Sequence, residues 1–138
     1  MKHIVLISCV KTKQPVPAKA RDLYTSALFR NWWGYGQTLR PDAVYILSAL
    51  YGLVEPERVI APYEKTLNHM PVAEIRTWAA QVVNSLRQVA DLHEDRFTFL
   101  AGERYRRFLV PHLRHYEVPL EGLGNGRQLK FLKEALAV

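Results

Sequence analysis

Only one cysteine, Cys9, stands in the 138 residues, so no intrachain disulfide can brace the fold. A lone thiol suits a reducing compartment, and the expected location is the cytoplasm. Long apolar runs are also missing: none approaches the roughly 20 residues that cross a bilayer, so no membrane association is expected. The opening MKHIVLISCV has a basic residue and an apolar stretch, but Lys11 and Lys13 follow where a small-residue cleavage site would be needed. It reads as a first strand. The five histidines lack HxxxH or HxxE spacing, so with a single cysteine neither a zinc site nor any cofactor is expected. There is no GxxxxGK[ST] loop, internal repeat, low-complexity stretch or interdomain linker. Acidic residues are the minority, 13 against 19 Lys and Arg, for a net charge of +6. That balance favours an anionic partner, though a basic surface that serves only solubility has the same charge.

Four short apolar runs predict strands: His3 to Ser8, Ala43 to Ser48, Phe97 to Ala101 and Tyr116 to Leu120. Helical spacing fills the intervals. Pro71 to Val89 places Val72, Ile75, Ala79, Val82, Val83 and Leu86 on one stripe, with Pro71 at its first position and Asn68 or His69 as cap. Asp22 to Leu39 reads as a helix that Gly34 and Gly36 end or kink. Glu103 to Leu109 forms a shorter one interrupted at Pro111, and Arg127 to Leu136 follows a glycine-rich turn. The expectation is one α/β domain over residues 1–138, a three-layer fold with a mainly parallel four-stranded sheet and helices on both faces. Right-handed crossovers then gather the loops after the strands along one edge, where open sheets bind ligands.

The residues after those strands carry the chemistry. Ser8, Cys9, Lys11 and Lys13 follow the first, and turn N–H groups with a nearby ammonium suit a phosphate. Cys9 is a candidate nucleophile or a small buried hydrophobe. The second loop, Ser48 to Thr66, is long enough to suggest function and offers Ser48, Tyr51, Gly52, Tyr63 and Glu64. Tyr63 either stacks on a base or clamps the loop. Glu64 is a candidate acid/base or sugar-contacting carboxylate, or a solvated surface charge. The third strand leads into Gly102 and Tyr105, with Arg104, Arg106 and Arg107 as a patch for a nucleic-acid backbone. Gly122, Gly124 and Gly126 read as a flexible turn, and Trp32 and Trp33 as packing residues.

The ordered set SCVKTK, ARDLYTSALF, ILSALYGLVEPERVIAPYEKTL, FLAGERY and PLEGLGNGRQLKFL resembles a YaaA-like domain-of-unknown-function family, and more distantly the YaaA peroxide-stress proteins. The likeness runs from Ile7 to Leu132. Its most specific piece follows the second strand, where YaaA proteins carry a comparable SGLYGLLRP…PYR block. The matching positions are Ser8, Cys9, Lys11, Lys13, Asp22, Tyr24 and Ser26, then Ser48, Tyr51, Gly52, Pro62, Tyr63, Glu64 and Thr66, and finally Gly102 and Tyr105. The resemblance implies a compact α/β domain that binds DNA through a basic cleft and is linked to protection from oxidative damage. This chain is shorter than YaaA proteins and has Glu64 in place of the arginine after Pro-Tyr, which fits a carboxylate reading a sugar or base edge.

The expected function is an enzyme on a nucleoside, nucleotide or nucleobase, with N-glycosidic bond chemistry as its form. Glu64 and Cys9 are the catalytic candidates. Ser8, Lys11, Lys13, Ser48, Tyr51, Gly52, Tyr63, Gly102 and Tyr105 are the substrate-binding ones. The alternative is a non-catalytic DNA-binding protein of the YaaA type using Arg104, Arg106 and Arg107. The expected partner is nucleic acid, DNA ahead of RNA, or a nucleotide.

Overall fold

The structure is a computed structural model that describes residues 1–137. Its strands are β1 (His3–Ser8), β2 (Ala18–Lys19), β3 (Ala43–Ser48), β4 (Gly52–Val54), β5 (Val59–Ile60), β6 (Arg96–Leu100) and β7 (His115–Glu117). The helices are α1 (Ala20–Leu23), α2 (Ala27–Thr38), α3 (Val72–Val89), α4 (Glu103–Arg106) and α5 (Asn125–Leu136). The main sheet has five strands in the order β4-β3-β1-β6-β7. β3, β1, β6 and β7 run parallel, and β4 returns antiparallel on β3. β2 and β5 pair as a separate two-stranded ribbon.

The expected sheet of four strands thus becomes five. The additional strand lies inside the segment read as a long irregular loop. Gly52, at φ 74°, supplies the left-handed residue that a tight reversal after Ser48 requires. β1 and β3 begin and end where their apolar runs do. A central parallel strand is covered on both faces and therefore carries an unbroken hydrophobic run, and Ile4 to Ile7 are all at most 1% exposed. The third strand lies one residue earlier than expected. The fourth spans His115–Glu117, because Pro119 has no N–H with which to continue a ladder.

The helix expected from Asp22 to Leu39 is two helices. Tyr24 is extended between them and bridges Lys13, and the Ser26 side chain accepts from Phe29 N at 3.1 Å to start α2 afresh. α2 runs past both Gly34 and Gly36 to Thr38. Gly36 instead lets the helix lie close on the sheet: a Cβ there would sit 3.2 Å from Val5 Cγ1. On α3 the buried stripe is Ile75, Trp78, Ala79, Val82, Val83 and Leu86, while Val72 is exposed. Pro71 precedes the helix instead of opening it, and neither Asn68 nor His69 caps it. Those two belong to a short 3-10 turn (Leu67–His69) that Thr66 caps. α5 begins two residues before Arg127 and packs on α2, where Trp32 Nε1 donates to Gln128 Oε1 at 3.1 Å. Both the core and the parallel strand ends are therefore fixed by local rules plus one close helix–sheet approach.

Candidate functional site

β1, β3 and β6 point their C-terminal ends toward one edge, and three loops meet there. Ser8 and Ser48, the last residues of β1 and β3, are buried hydroxyls that hold those loops down. Ser8 Oγ accepts from Gly102 N at 3.3 Å, joining the first loop to the third. Ser48 Oγ accepts from Leu50 N at 3.3 Å and Tyr51 N at 3.0 Å, shaping the reversal into β4. The same hydroxyl donates to Tyr63 Oη at 2.7 Å, and Tyr63 Oη lies 2.6 Å from Tyr24 Oη. Trp78 Nε1 donates to Ser48 O at 2.9 Å, which brings α3 to the same point.

A second polar cluster centres on Tyr105. Its phenol oxygen accepts from Cys9 Sγ at 3.2 Å and from Leu67 N at 3.3 Å, and lies 3.4 Å from Thr66 Oγ1. With two donors already directed at that oxygen, its own proton is left for Thr66. Burial pushes the phenols of Tyr24, Tyr63 and Tyr105 far above the ordinary tyrosine range, so all three stay protonated. They act as neutral hydrogen-bonding posts beneath the site.

Above this floor is a cavity of about 400 Å³. Cys9, Val10, Lys11 and Lys13 line it from the first loop, Glu64, Lys65, Thr66 and His69 from the second, and Tyr105 from the third. Lys13 is the most constrained of the lysines. Its Nζ donates to Val10 O at 3.0 Å and Lys11 O at 3.1 Å, and lies 4.6 Å from the Tyr63 ring centroid. Burial lowers its pKa, and the nearby Cys9 and Glu64 partly oppose that shift. Lys11, Glu64 and Lys65 have no ion-pair or side-chain hydrogen-bond partner among the described residues. Glu64 is the cavity's one carboxylate.

Of the residues expected to form a site, Cys9, Lys11, Lys13, Glu64 and Tyr105 come together around this hollow. Ser8, Ser48 and Tyr63 lie behind it. Tyr51 packs edge-on against Tyr63 at 5.6 Å between centroids, with the Arg58 guanidinium over its own ring at 5.4 Å. Gly52 forms the turn. Gly102 faces a separate hollow of about 250 Å³ beside Glu103 and Arg106. The α4 arginines stand apart from the cavity: Arg107 holds Glu103 through two bonds of 2.7 and 2.8 Å, and Arg106 lies 3.5 Å from Glu121. Arg104 has no ion pair among the described residues. Lys65 and His69 were missed from sequence, although Lys65 directly follows Glu64 in the charged run of the second loop.

Among the described residues, no group of three or more His, Cys, Asp or Glu is placed to hold a metal ion. Nor is any helix there long and apolar enough to cross a membrane. No curated protein and no solved structure matches the chain. A family model does match, over residues 4–134, and the chain belongs to that family, DUF6884, a family of unknown function.

Proposed function

We propose that the protein binds a nucleotide in the cavity at the C-terminal edge of the sheet and acts on its N-glycosidic bond. The observation that carries this reading is the composition of that cavity: three lysines and a single unpartnered carboxylate around a hollow of about 400 Å³. That volume falls within the roughly 300–1,000 Å³ of small-molecule sites. Topology supports the same place. From β1 the chain moves to β3 on one side and then crosses back to β6 on the other. Right-handed crossovers would put α2 and α3 on opposite faces, giving three layers, and open a crevice between the ends of β1 and β6. Cys9 and Tyr105 flank that crevice.

In this reading Lys11, Lys13 and Lys65 hold the phosphate as point charges. Glu64 faces the sugar, and its negative charge stabilises an oxocarbenium-like C1′ as the bond to the base lengthens. His69, the one imidazole on the wall, gives a proton to the departing base; water then adds to C1′ and its released proton restores the imidazole, so that the products are free base and the sugar phosphate. Cys9 has a structural part: it is 5% exposed and its thiol donates to Tyr105 Oη. Tyr63 works through Lys13, which its ring and the two carbonyls hold in place. The likeness to YaaA proteins and a cytoplasmic location belong to the same proposal. Non-catalytic DNA binding through α4 is the weaker reading, because Glu103 and Glu121 already neutralise two of its three arginines.

Incubation with nucleotides, nucleosides and DNA carrying modified bases, followed by chromatography for free base, tests this. Free base is expected from at least one of them. Glu64→Gln should lower its release by about 100-fold or more, the scale of removing one electrostatic stabiliser, with an unchanged circular dichroism spectrum. No free base from any substrate, or full activity in the variant, overturns the proposal.

A further inference from the structure

A second hollow of about 460 Å³ adjoins the first, on the other side of the segment from Glu64 to Met70. Thr66 and His69 face the first hollow and Met70 the second, while Lys65 lines both. The partition is anchored at Leu67. Leu67 is fully buried, its N–H is held by Tyr105, and the Tyr105 ring meets Trp78 edge to face at 5.7 Å. The second hollow has apolar walls in Leu50, which is 48% exposed, and in Met70 and Trp78, with Glu74 and Gln81 projecting from α3. A hollow that is part apolar wall and part hydrogen-bonding groups offers contacts to both the face and the edge of a nucleobase.

We infer that the two hollows hold two adjacent nucleotides of a single strand, with the linking phosphodiester on Lys65. The inference rests on the nucleotide reading above and extends it from a lone nucleotide to a strand segment. A phosphodiester carries one negative charge between two nucleosides, and Lys65 is one positive charge between two nucleoside-sized spaces. Glu74 accepts hydrogen bonds and cannot donate them when ionised, so it favours a base whose edge offers N–H groups.

Titration calorimetry at one fixed salt concentration tests this, comparing nucleoside monophosphates with 5′-phosphorylated dinucleotides, each as ribose and deoxyribose forms. The dinucleotides should bind about tenfold more tightly or better, the lower end of the effect of one stacked base. Ala73→Trp fills the second hollow from an exposed α3 position, and Leu50→Asp places a charge in it. Each should erase that advantage and leave monophosphate affinity as it was. Equal affinities in the unaltered protein, or an advantage that survives both variants, overturns the inference. Monophosphate binding with base release but no dinucleotide advantage removes this inference alone. Failure of every ligand to bind at millimolar concentration removes the nucleotide reading as well.

Discussion

Where the parallel strands begin, Asp42, Asp95 and Lys2 are taken up by the fold. The Asp95 carboxylate accepts from Lys2 N and Asp91 N at 2.8 Å each, Asp42 accepts from His3 N at 2.7 Å, and Lys2 Nζ donates to Val89 O. Where the strands end, the floor is similarly satisfied, yet Lys11, Glu64 and Lys65 on the rim have no protein partner among the described residues. The larger hollow is at the first edge, about 980 Å³ against 400 Å³. Glu94 on the larger hollow also has no ion pair among the described residues, so what sets the other end apart is three lysines facing one carboxylate across a smaller space. That grouping is the better guide, because cations converging on one space can hold a single anionic ligand together.

The largest effect should come from removing those cations. Lys11→Ala, Lys13→Ala and Lys65→Ala together should weaken nucleoside monophosphate binding by about 1,000-fold or more, since each charge-assisted contact contributes roughly 1.5–3 kcal/mol. Lys11→Ala with Lys65→Ala avoids the constrained Lys13 and should still cost about 100-fold. Lys2→Ala, beside the larger hollow, should change nothing. Titration calorimetry decides the matter, and equal losses in the Lys2 and rim variants would break the contrast between the two edges.

Much of this architecture was legible in the sequence where burial is continuous. The runs HIVLIS and AVYILS coincide with β1 and β3, because a strand covered on both faces leaves its limits in composition. Two-residue pieces such as β2 and β5 leave no periodicity, and β4 was hidden in a stretch whose glycine and prolines resemble a loop. At the site, the strand-end lysines and Glu64 were visible because polar residues follow apolar runs. The clamp reading of Tyr63 was available beside stacking, but the bonds that Tyr105 accepts from Cys9 and Leu67 were not visible. An exposed aromatic and one whose hydroxyl is buried among Ser48, Tyr24 or Cys9 have the same letter, and only the fold separates them. The arginine patch shows the same limit, since Glu121 meets Arg106 from a distant turn.

The next effect concerns the other edge, where backbone donors hold Asp95. Burial works to raise the pKa of Asp95, but the Lys2 and Asp91 backbone donors and the Lys2 charge outweigh it, leaving the carboxyl below its ordinary range. The folded value is thus lower than the unfolded one. Its stabilisation is fully present above the unfolded pKa, about 3.9, and is lost as pH falls through the folded value. Asp95→Asn places an amide NH2 against a backbone donor and should cost about 2 kcal/mol at neutral pH. In urea unfolding that deficit should shrink below about pH 4 as wild type loses its charge. Nucleotide affinity at neutral pH should not move.

The smallest effect probes the line between floor and rim. Tyr105→Phe removes the acceptor for Leu67 N and Cys9 Sγ while keeping the ring packed on Trp78. Leaving the buried Leu67 N–H without a partner should cost about 1–2 kcal/mol of stability. Turnover should fall only as far as the Glu64–Met70 wall loosens, so Cys9→Ala, which keeps the Leu67 bond, should leave it nearly intact. If Tyr105→Phe instead abolished base release while urea unfolding stayed at the wild-type midpoint, the phenol would be acting on the substrate. The division between polar groups that hold the loops and charges that meet the ligand would then run through Tyr105 itself.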